Sequence, residues 1–245
     1  RFCGFSNNMI SIIIPTLNEE KYLPLLLKSI ARQKFRDYEI IVADAGSEDK
    51  TLDIAKRYNC RIVAGGLPAK GRNEGAKVAK GDLLLFLDAD VILPQKFFRR
   101  AVSEFETEKI DFGAFALTPY PRNKISHLFF DAFYNKQTTF FEKFSPHAGA
   151  AILVRKQVFE QLNGYDETVK LAEDHDLAKR AKKITKFRFL KSTKVFVSDR
   201  RFRQDGWSST IAKYLFCEFH MALIGPVKSD ILKYEFSHYD RYPKV

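Results

Sequence analysis

Three short apolar runs constrain this chain more than anything else in it: Ile10–Ile14, Tyr38–Ala43 and Leu83–Leu87, each followed by turn chemistry. Runs of this length without polar alternation read as strands buried on both faces, the mark of a parallel sheet. Between them the apolar residues recur at helical spacing. Leu23, Leu26, Leu27 and Ile30 share one face of a first helix, and Leu52, Ala55 and Tyr58 lie in a second. Arg61–Ala64 supplies a further short strand and Gly71–Ala79 a helix before the strand that ends at Leu87. A βαβαβαβ order calls for an α/β fold, a Rossmann-like and mostly parallel sheet flanked by helices, with ligands at the carboxyl ends of the strands.

After Leu93-Pro94 the pattern becomes mixed. A helix is expected near Gln95–Glu108, a strand near Phe112–Leu117, an aromatic-rich segment over His127–Phe144 and a strand at Ala150–Val154. A helix from about Glu173 to Lys183 follows, then short strands near Phe187–Leu190 and Lys194–Val197, and a last helix from about Trp207. No repeat or linker divides the chain, so residues 9–245 are read as one domain. Its parts are a ligand-binding half (9–118), a mixed half (119–206) and a C-terminal helical extension (207–245). Residues 1–8 are too short and polar for a signal peptide and read as a tail or tag remnant.

With 245 residues and 45% hydrophobic composition the chain can bury a sizeable core. Its net charge of +11 makes nucleotides, nucleic acid and anionic lipid all candidate partners. Three cysteines, odd in number and without metal-site spacing, argue against a disulfide framework and for inert thiols in a reducing compartment. Lys213, Glu218 and His220 interrupt the most apolar stretch, so no membrane-spanning helix is expected.

The strongest chemical signal is Leu84-Leu85-Phe86-Leu87-Asp88-Ala89-Asp90, an apolar strand that delivers two carboxylates two positions apart. Carboxylates held that close repel each other unless a cation neutralises them, and hard divalent ions prefer such oxygen ligands. A solvated polar turn is the competing explanation. After the second strand, Asp44-Ala45-Gly46-Ser47-Glu48-Asp49-Lys50-Thr51 combines a strand-terminal carboxylate with Ser47 and Asp49 as candidate helix caps. Capping explains Ser47, Asp49 and Thr51 well and Asp44 poorly; a carboxylate at Asp44 suits the imide hydrogen of a uracil ring. Pro15-Thr16-Leu17-Asn18-Glu19-Glu20 forms a third loop facing the same crevice. Gly71-Arg72-Asn73-Glu74-Gly75 opens a helix there, with Gly71 allowing a backbone turn and Arg72 in reach of a base or phosphates.

Taken in order, Pro15-Thr16-x-Asn18-Glu19, Asp44-x-Gly46-Ser47-x-Asp49-x-Thr51, Gly71-Arg72-Asn73, and Gly81-Asp82 followed by Asp88-Ala89-Asp90 resemble family 2 glycosyltransferases of the GT-A fold. The likeness continues through Gly164-Tyr165-Asp166-Glu167 and Glu173-Asp174-His175-Asp176-Leu177, and covers residues 9 to about 205. The resemblance implies an inverting enzyme that takes a uridine, or less often guanosine, diphosphate sugar and a Mn2+ or Mg2+ ion. It implies that residues 9–118 bind the nucleotide sugar through Pro15, Thr16, Glu19, Asp44, Arg72, Asp88 and Ala89, with Asp44 and Arg72 at the base. Asp88 then meets ribose or sugar, Asp90 the metal, and Asp174 acts as general base. That last role agrees with the chemistry: displacement at an anomeric carbon needs one carboxylate for the acceptor proton, and a metal-bound diphosphate leaves unaided. A simpler account places Glu173 and Asp174 in a helix's first turn, where carboxylates are favoured in any case, and pairs Asp176 with Lys179 or Arg180.

Arg200-Arg201-Phe202-Arg203 before Trp207 reads equally as a solvated basic turn or a diphosphate contact; the second prefers Arg201 and assigns Glu173, Arg201 and Trp207 to the acceptor or diphosphate side. Among His147, His175, His220 and His238 nothing singles out a metal ligand. Two aromatic tracts, one with Phe129, Phe133, Phe140 and Phe144 and one running from Trp207 to Leu223, read first as core. An interfacial helix facing anionic lipid is the second reading, and favours a lipid-linked acceptor. The expected setting is the cytoplasm or the inner face of a membrane, with a glycan or lipid-linked acceptor and no nucleic acid. A sugar-phosphate nucleotidyltransferase remains the alternative enzyme, although Pro15-Thr16-Leu17-Asn18 is not the glycine-rich triphosphate loop it needs. A basic, non-catalytic surface module is the other. No Gly-x-Gly-x-x-Gly follows a strand, which disfavours a dehydrogenase.

Overall fold

The computed structural model describes residues 9–120, 127–128, 130–142, 146–200, 202 and 206–228. The apolar runs become β1 (Ile10–Thr16), β2 (Tyr38–Asp44), β3 (Arg61–Ala64) and β4 (Leu83–Leu87). They are joined by α1 (Leu23–Ala31), α2 (Thr51–Arg57) and α3 (Pro68–Val78). β1, β2, β3 and β4 run parallel, and the register sets Thr16 opposite Asp44 at the carboxyl end. Alternation within each strand sends side chains to two cores. Ile12, Ile14, Val42, Leu85 and Leu87 pack against α1, while Ile13, Ile41, Leu84 and Phe86 pack on the other face with Ala69 and Ala76 of α3. Each buried Ile, Val, Leu or Phe among these stabilises the fold by about 1.5–3 kcal/mol relative to exposure.

The second half adds β5 (Val91–Ile92), α4 (Phe97–Thr107) and β6 (Phe112–Tyr120). A π-helical turn (Phe130–Asn135) then runs into α5 (Lys136–Phe141), followed by β7 (Ala151–Arg155) and α6 (Lys156–Gln161). The last elements are α7 (Glu173–Ile184), β8 (Phe187–Ser198) and α8 (Trp207–Leu223). The described strands form one eight-stranded sheet in the order β3-β2-β1-β4-β7-β6-β8-β5. β7 is antiparallel to β4 and to β6, whereas β6 and β8 are parallel, so the mixed character falls where the sequence pattern changes. The boundary placed at residue 118 lies inside β6.

Several local expectations are corrected. The two short strands near 187–190 and 194–197 are one strand, β8, whose pairing shifts register against β6 between Phe115 and Ala116. β5 and α6 had no clear periodic signal, being two and six residues long. α3 starts at Pro68, before Gly71, because proline suits a first helical position where no N–H is required. Gly71 is therefore not a turn residue. The close approach occurs one helical turn later: a Cβ on Gly75 would lie 2.4 Å from Ile13 Cγ2, so α3 rests against β1 with no side chain between.

Burial pushes the Cys60 thiol up to about 12, in keeping with an inert side chain; Cys60 and Cys217 are free thiols, and Cys3 lies outside the described residues. Phe130 is buried with its ring 5.7 Å from that of Phe202, while Phe129 and Phe144 lie outside the described residues. α8 buries Cys217 and Met221 with Val227 against Leu171 and Ala172, and leaves Leu215, Phe216, Phe219 and Leu223 exposed. Among the described residues no helix is long and apolar enough to cross a membrane.

Candidate functional site

The loops that leave β1 and β2 are laced together by their own side chains. Asn18 N–H donates to Ser47 Oγ (2.8 Å), Glu19 N–H to Thr51 Oγ1 (2.7 Å) and Glu20 N–H to Asp49 Oδ2 (2.9 Å), while Asn18 Oδ1 accepts from Glu48 N–H (2.9 Å). Ser47, Asp49 and Thr51 thus satisfy the backbone of the neighbouring loop, just ahead of α1. Ser47 was expected to cap α2, whose N-cap position is Lys50 and carries no side-chain bond. Asp44 is engaged in the same way. Its Oδ1 accepts from Thr16 Oγ1 (2.9 Å) and Ser47 Oγ (2.6 Å), and its Oδ2 from the N–H groups of Gly46 (2.9 Å) and Ser47 (2.8 Å). A carboxylate offers about four lone-pair directions, so loop architecture accounts for Asp44 as well as for its neighbours. Pro15 pairs with Ala43 in the sheet register beneath them.

Arg72 is the hub of the site. Resting on α3, its guanidinium is buried, donates to Glu173 Oε1 through Nη1 (2.6 Å) and to Asp88 Oδ1 through Nη2 (2.7 Å), and lies 3.6 Å from Asp174 Oδ2. It also stacks 5.3 Å from the centre of the Tyr165 ring. Burial works against its charge, but Asp174, Asp88 and Glu173 more than offset that and hold it protonated above the usual arginine range. One cation therefore ties the end of β4 to the start of α7. Removing a single partner from a buried pair of this kind typically costs about 3–5 kcal/mol. Arg72 thus pairs with carboxylates on two elements, and Glu173 is held by the same guanidinium.

Asn73 adds a second tie. Its Nδ2 donates to the Tyr165 carbonyl (3.0 Å) and to Glu167 Oε1 (2.9 Å), and its Oδ1 accepts from the Tyr165 N–H (2.9 Å). The preceding Gly164 has φ +68°, and a Cβ there would meet Asn73 Oδ1 at 2.6 Å, so only glycine fits this turn. Tyr165 in turn donates its hydroxyl to Asp174 Oδ1 (3.1 Å). Burial raises the Asp174 carboxyl to about 8, with Glu173 and Asp88 adding to the shift while Arg72 and the Tyr165 hydroxyl pull it down. Ala172, immediately before α7, adopts left-handed backbone (φ +59°), a strained conformation for a residue with a Cβ at the mouth of the site. The rings of His147 and His175 meet edge to face at 4.7 Å beside it.

Asp88 and Asp90 do not act as a matched pair. Asp88 turns to Arg72, whereas Asp90 Oδ2 lies 3.0 Å from Arg200 Nε, and Ala89 between them is buried in the core. Arg200 also grips Glu19 with both terminal nitrogens (3.1 and 3.0 Å) and stacks over Tyr22 at 4.7 Å. Sequence reasoning favoured Arg201, which lies outside the described residues; Arg200, Tyr165 and Asn73 are the partners it missed or ranked low. The arginine run and the Gly-Tyr-Asp-Glu segment marked the neighbourhood without saying which side chain turns inward. Trp207 opens α8.

No three His, Cys, Asp or Glu side chains among the described residues form a protein-only metal cage. An ion that rides on a diphosphate needs fewer protein ligands, since Mg2+ and similar ions take one or two carboxylates and complete their shell with phosphate oxygens and water. Asp90, a partly buried carboxylate at the strand ends, fits that donor set.

The sequence matches Glycosyl transferase family 2 over residues 11–162. The chain belongs to that family. It is 33% identical over 111 residues to the Staphylococcus aureus poly(ribitol-phosphate) beta-N-acetylglucosaminyltransferase TarS, a match that takes in 41% of this chain and 19% of that protein. It is 36% identical over 126 residues to a Staphylococcus haemolyticus 4,4'-diaponeurosporenoate glycosyltransferase, with 48% and 33% of the two chains aligned. The chain therefore aligns with about a third or less of the length of these two relatives. The fold superimposes on TarS residues 1–349 in complex with UDP-GlcNAc with a TM-score of 0.65 at 23% identity, covering 78% of this chain and 59% of that one. A Pyrobaculum calidifontis mannosyltransferase in complex with GDP-Man and Mn2+ gives 0.64 at 18%, covering 86% and 65%. The expected GT-A fold, a mixed α/β sheet with flanking helices, is thereby established for this family 2 glycosyltransferase.

Proposed function

We propose that this chain is an inverting, divalent-metal-dependent transferase that moves a sugar from a nucleoside diphosphate sugar, uridine before guanosine, to an acceptor hydroxyl. The observation that carries this reading is Arg72, whose single guanidinium reaches Asp88 on the donor side and Asp174 on the acceptor side. Pro15, Thr16, Glu19, Asp44, Arg72, Asp88 and Ala89 line the donor. Asp44 meets the base when the hydroxyl of Ser47 or Thr16 rotates off Oδ1, and Asp88 meets ribose or sugar. Asp90 would hold the ion through a carboxylate oxygen, and a bound divalent cation supplies the charge that stabilises a departing diphosphate.

Asp174 is the general base. The acceptor oxygen forms a bond to the anomeric carbon as the bond from that carbon to the diphosphate oxygen breaks, the electron pair leaving on the diphosphate and the acceptor proton passing to Asp174. A carboxylate raised to about 8 suits this work, because proton transfer is most effective when the base titrates near the working pH. Glu173, Arg201 and Trp207 are assigned to the acceptor and diphosphate side. The relatives named above act, by name, on a poly(ribitol-phosphate) and on 4,4'-diaponeurosporenoate, which supports a cell-surface glycan or lipid-linked acceptor here. We place the protein in the cytoplasm or against the inner face of an anionic membrane, with no role for nucleic acid.

Thermal unfolding with uridine and guanosine diphosphate sugars, with and without Mn2+ or Mg2+, tests the donor site. Ligand at a hundredfold excess over its Kd stabilises a fold by about 2.7 kcal/mol. The Asp90→Ala variant should lose the metal-dependent part of that gain. Asp174→Asn should keep it while transfer drops by about 10^2–10^4-fold. Absence of any metal-dependent gain with either nucleotide class sinks the donor assignment, and full transfer by Asp174→Asn sinks the base.

A further inference from the structure

We propose that Tyr165, held by Asn73, is the positioning residue for Asp174: its hydroxyl occupies Oδ1 and so leaves Oδ2 as the oxygen that accepts the proton. This rests on the reading of Asp174 as the base. Both residues are fixed with more bonds than a connecting turn requires. Asn73 exchanges two hydrogen bonds with the Tyr165 backbone, as a neighbouring strand would, and so transfers the rigidity of α3 to the segment ahead of α7. The Tyr165 ring is buried, packed edge-on to Phe86 with 5.4 Å between centres and covered by the Arg72 guanidinium. Packing on both sides locks the ring, so its hydroxyl is presented to Asp174 from a fixed direction.

The two oxygens of Asp174 are consequently unlike. Oδ1 accepts the Tyr165 hydroxyl at 3.1 Å, while Oδ2 faces Arg72 Nη2 at 3.6 Å, beyond hydrogen-bonding reach. The groups that face this carboxylate are Arg72 from α3, Asp88 from the end of β4, Tyr165 and the adjoining Glu173; the His147–His175 pair flanks it. Of these, Tyr165 alone can be stripped of its polar atom while its packing is kept. A hydroxyl that donates to the ionised form favours that form, so its loss makes Asp174 easier to protonate.

The test is a carboxyl-carbon NMR titration of ligand-free protein labelled with 13C-aspartate, with the Asp174 signal identified from its absence in Asp174→Asn. In Tyr165→Phe the midpoint of Asp174 should rise by about one pH unit, the worth of one hydrogen bond to a charged group, with thermal stability little changed. Asn73→Ala, which frees the Tyr165 backbone, should move the midpoint in the same direction. An unmoved or lowered midpoint in Tyr165→Phe overturns the positioning role and leaves Asp174 as base. Full transfer by Asp174→Asn would remove the base reading while a raised midpoint still stood, so the two failures are distinct.

Discussion

At the scale of single residues the site is a set of charges that burial would expel if they were not joined. Asp174 carries the clearest consequence. Its folded carboxyl titrates at about 8, against about 4 in an unfolded chain, so between those values the folded state holds a proton that the unfolded state has released. Stability from this group is therefore full at low pH and is lost as the pH rises through 8. Asp174→Asn, which keeps the shape without the charge, should gain melting temperature over the parent at about pH 9 and much less at about pH 5. Equal shifts at both values would refute the linkage. The residue types of this cluster were legible in the sequence, because acids at strand ends and before a helix stand out. Their pairing was not: Glu173 is 101 positions from Arg72 and Asp88 is 16 away, distances over which only the fold decides who meets whom. The bonds of Asp44 were equally hidden, since the Thr16 hydroxyl that it accepts from is 28 positions away on β1.

Elements were legible where period and length were strong. β1, β2, β4 and α1 appear close to their expected places because each buries an apolar face, and the shorter α2 and β3 follow between them. What escaped depends on contact between elements. Glycine in a sequence suggests bending, and Gly71 was read so, yet α3 runs straight through it and needs a bare surface one turn on, where Gly75 abuts Ile13. Gly75→Ala should push α3 off β1 and cost about 1–3 kcal/mol in denaturant unfolding, as overpacked cores do. Since Arg72 and Asn73 ride on that helix, donor binding should weaken in the same variant. A Gly75→Ala protein with parental stability would show that the contact is slack. Likewise β8 was split in two by a polar stretch that is only a register shift opposite Ala116.

For the whole molecule, the net charge of +11 and the outward stripe of Leu215, Phe216, Phe219 and Leu223 on α8 point the same way. The buried side of that helix packs on Leu171 and Ala172, just ahead of α7, so a surface that met the stripe would lie one helix away from the start of α7. Sedimentation with phosphatidylglycerol vesicles should carry the protein down, neutral vesicles should not, and Phe219→Ser with Leu223→Ser should weaken the association about tenfold or more. Indifference to both lipid charge and the double substitution would dismiss the membrane reading. The division at residue 118 falls inside β6, well past the change of pattern after Pro94, and the strand pairing crosses it. β7 supplies the hydrogen-bonding partner of β4, strand backbone to strand backbone, from the far side of that division. A shortened chain ending there would lay bare the full flank of its most apolar strand, Leu83 to Leu87, as a sticky template for any passing extended segment. The two halves of this sheet are thus not separable cassettes, and a domain-swapping engineer would have to cut along the sheet instead of along the sequence.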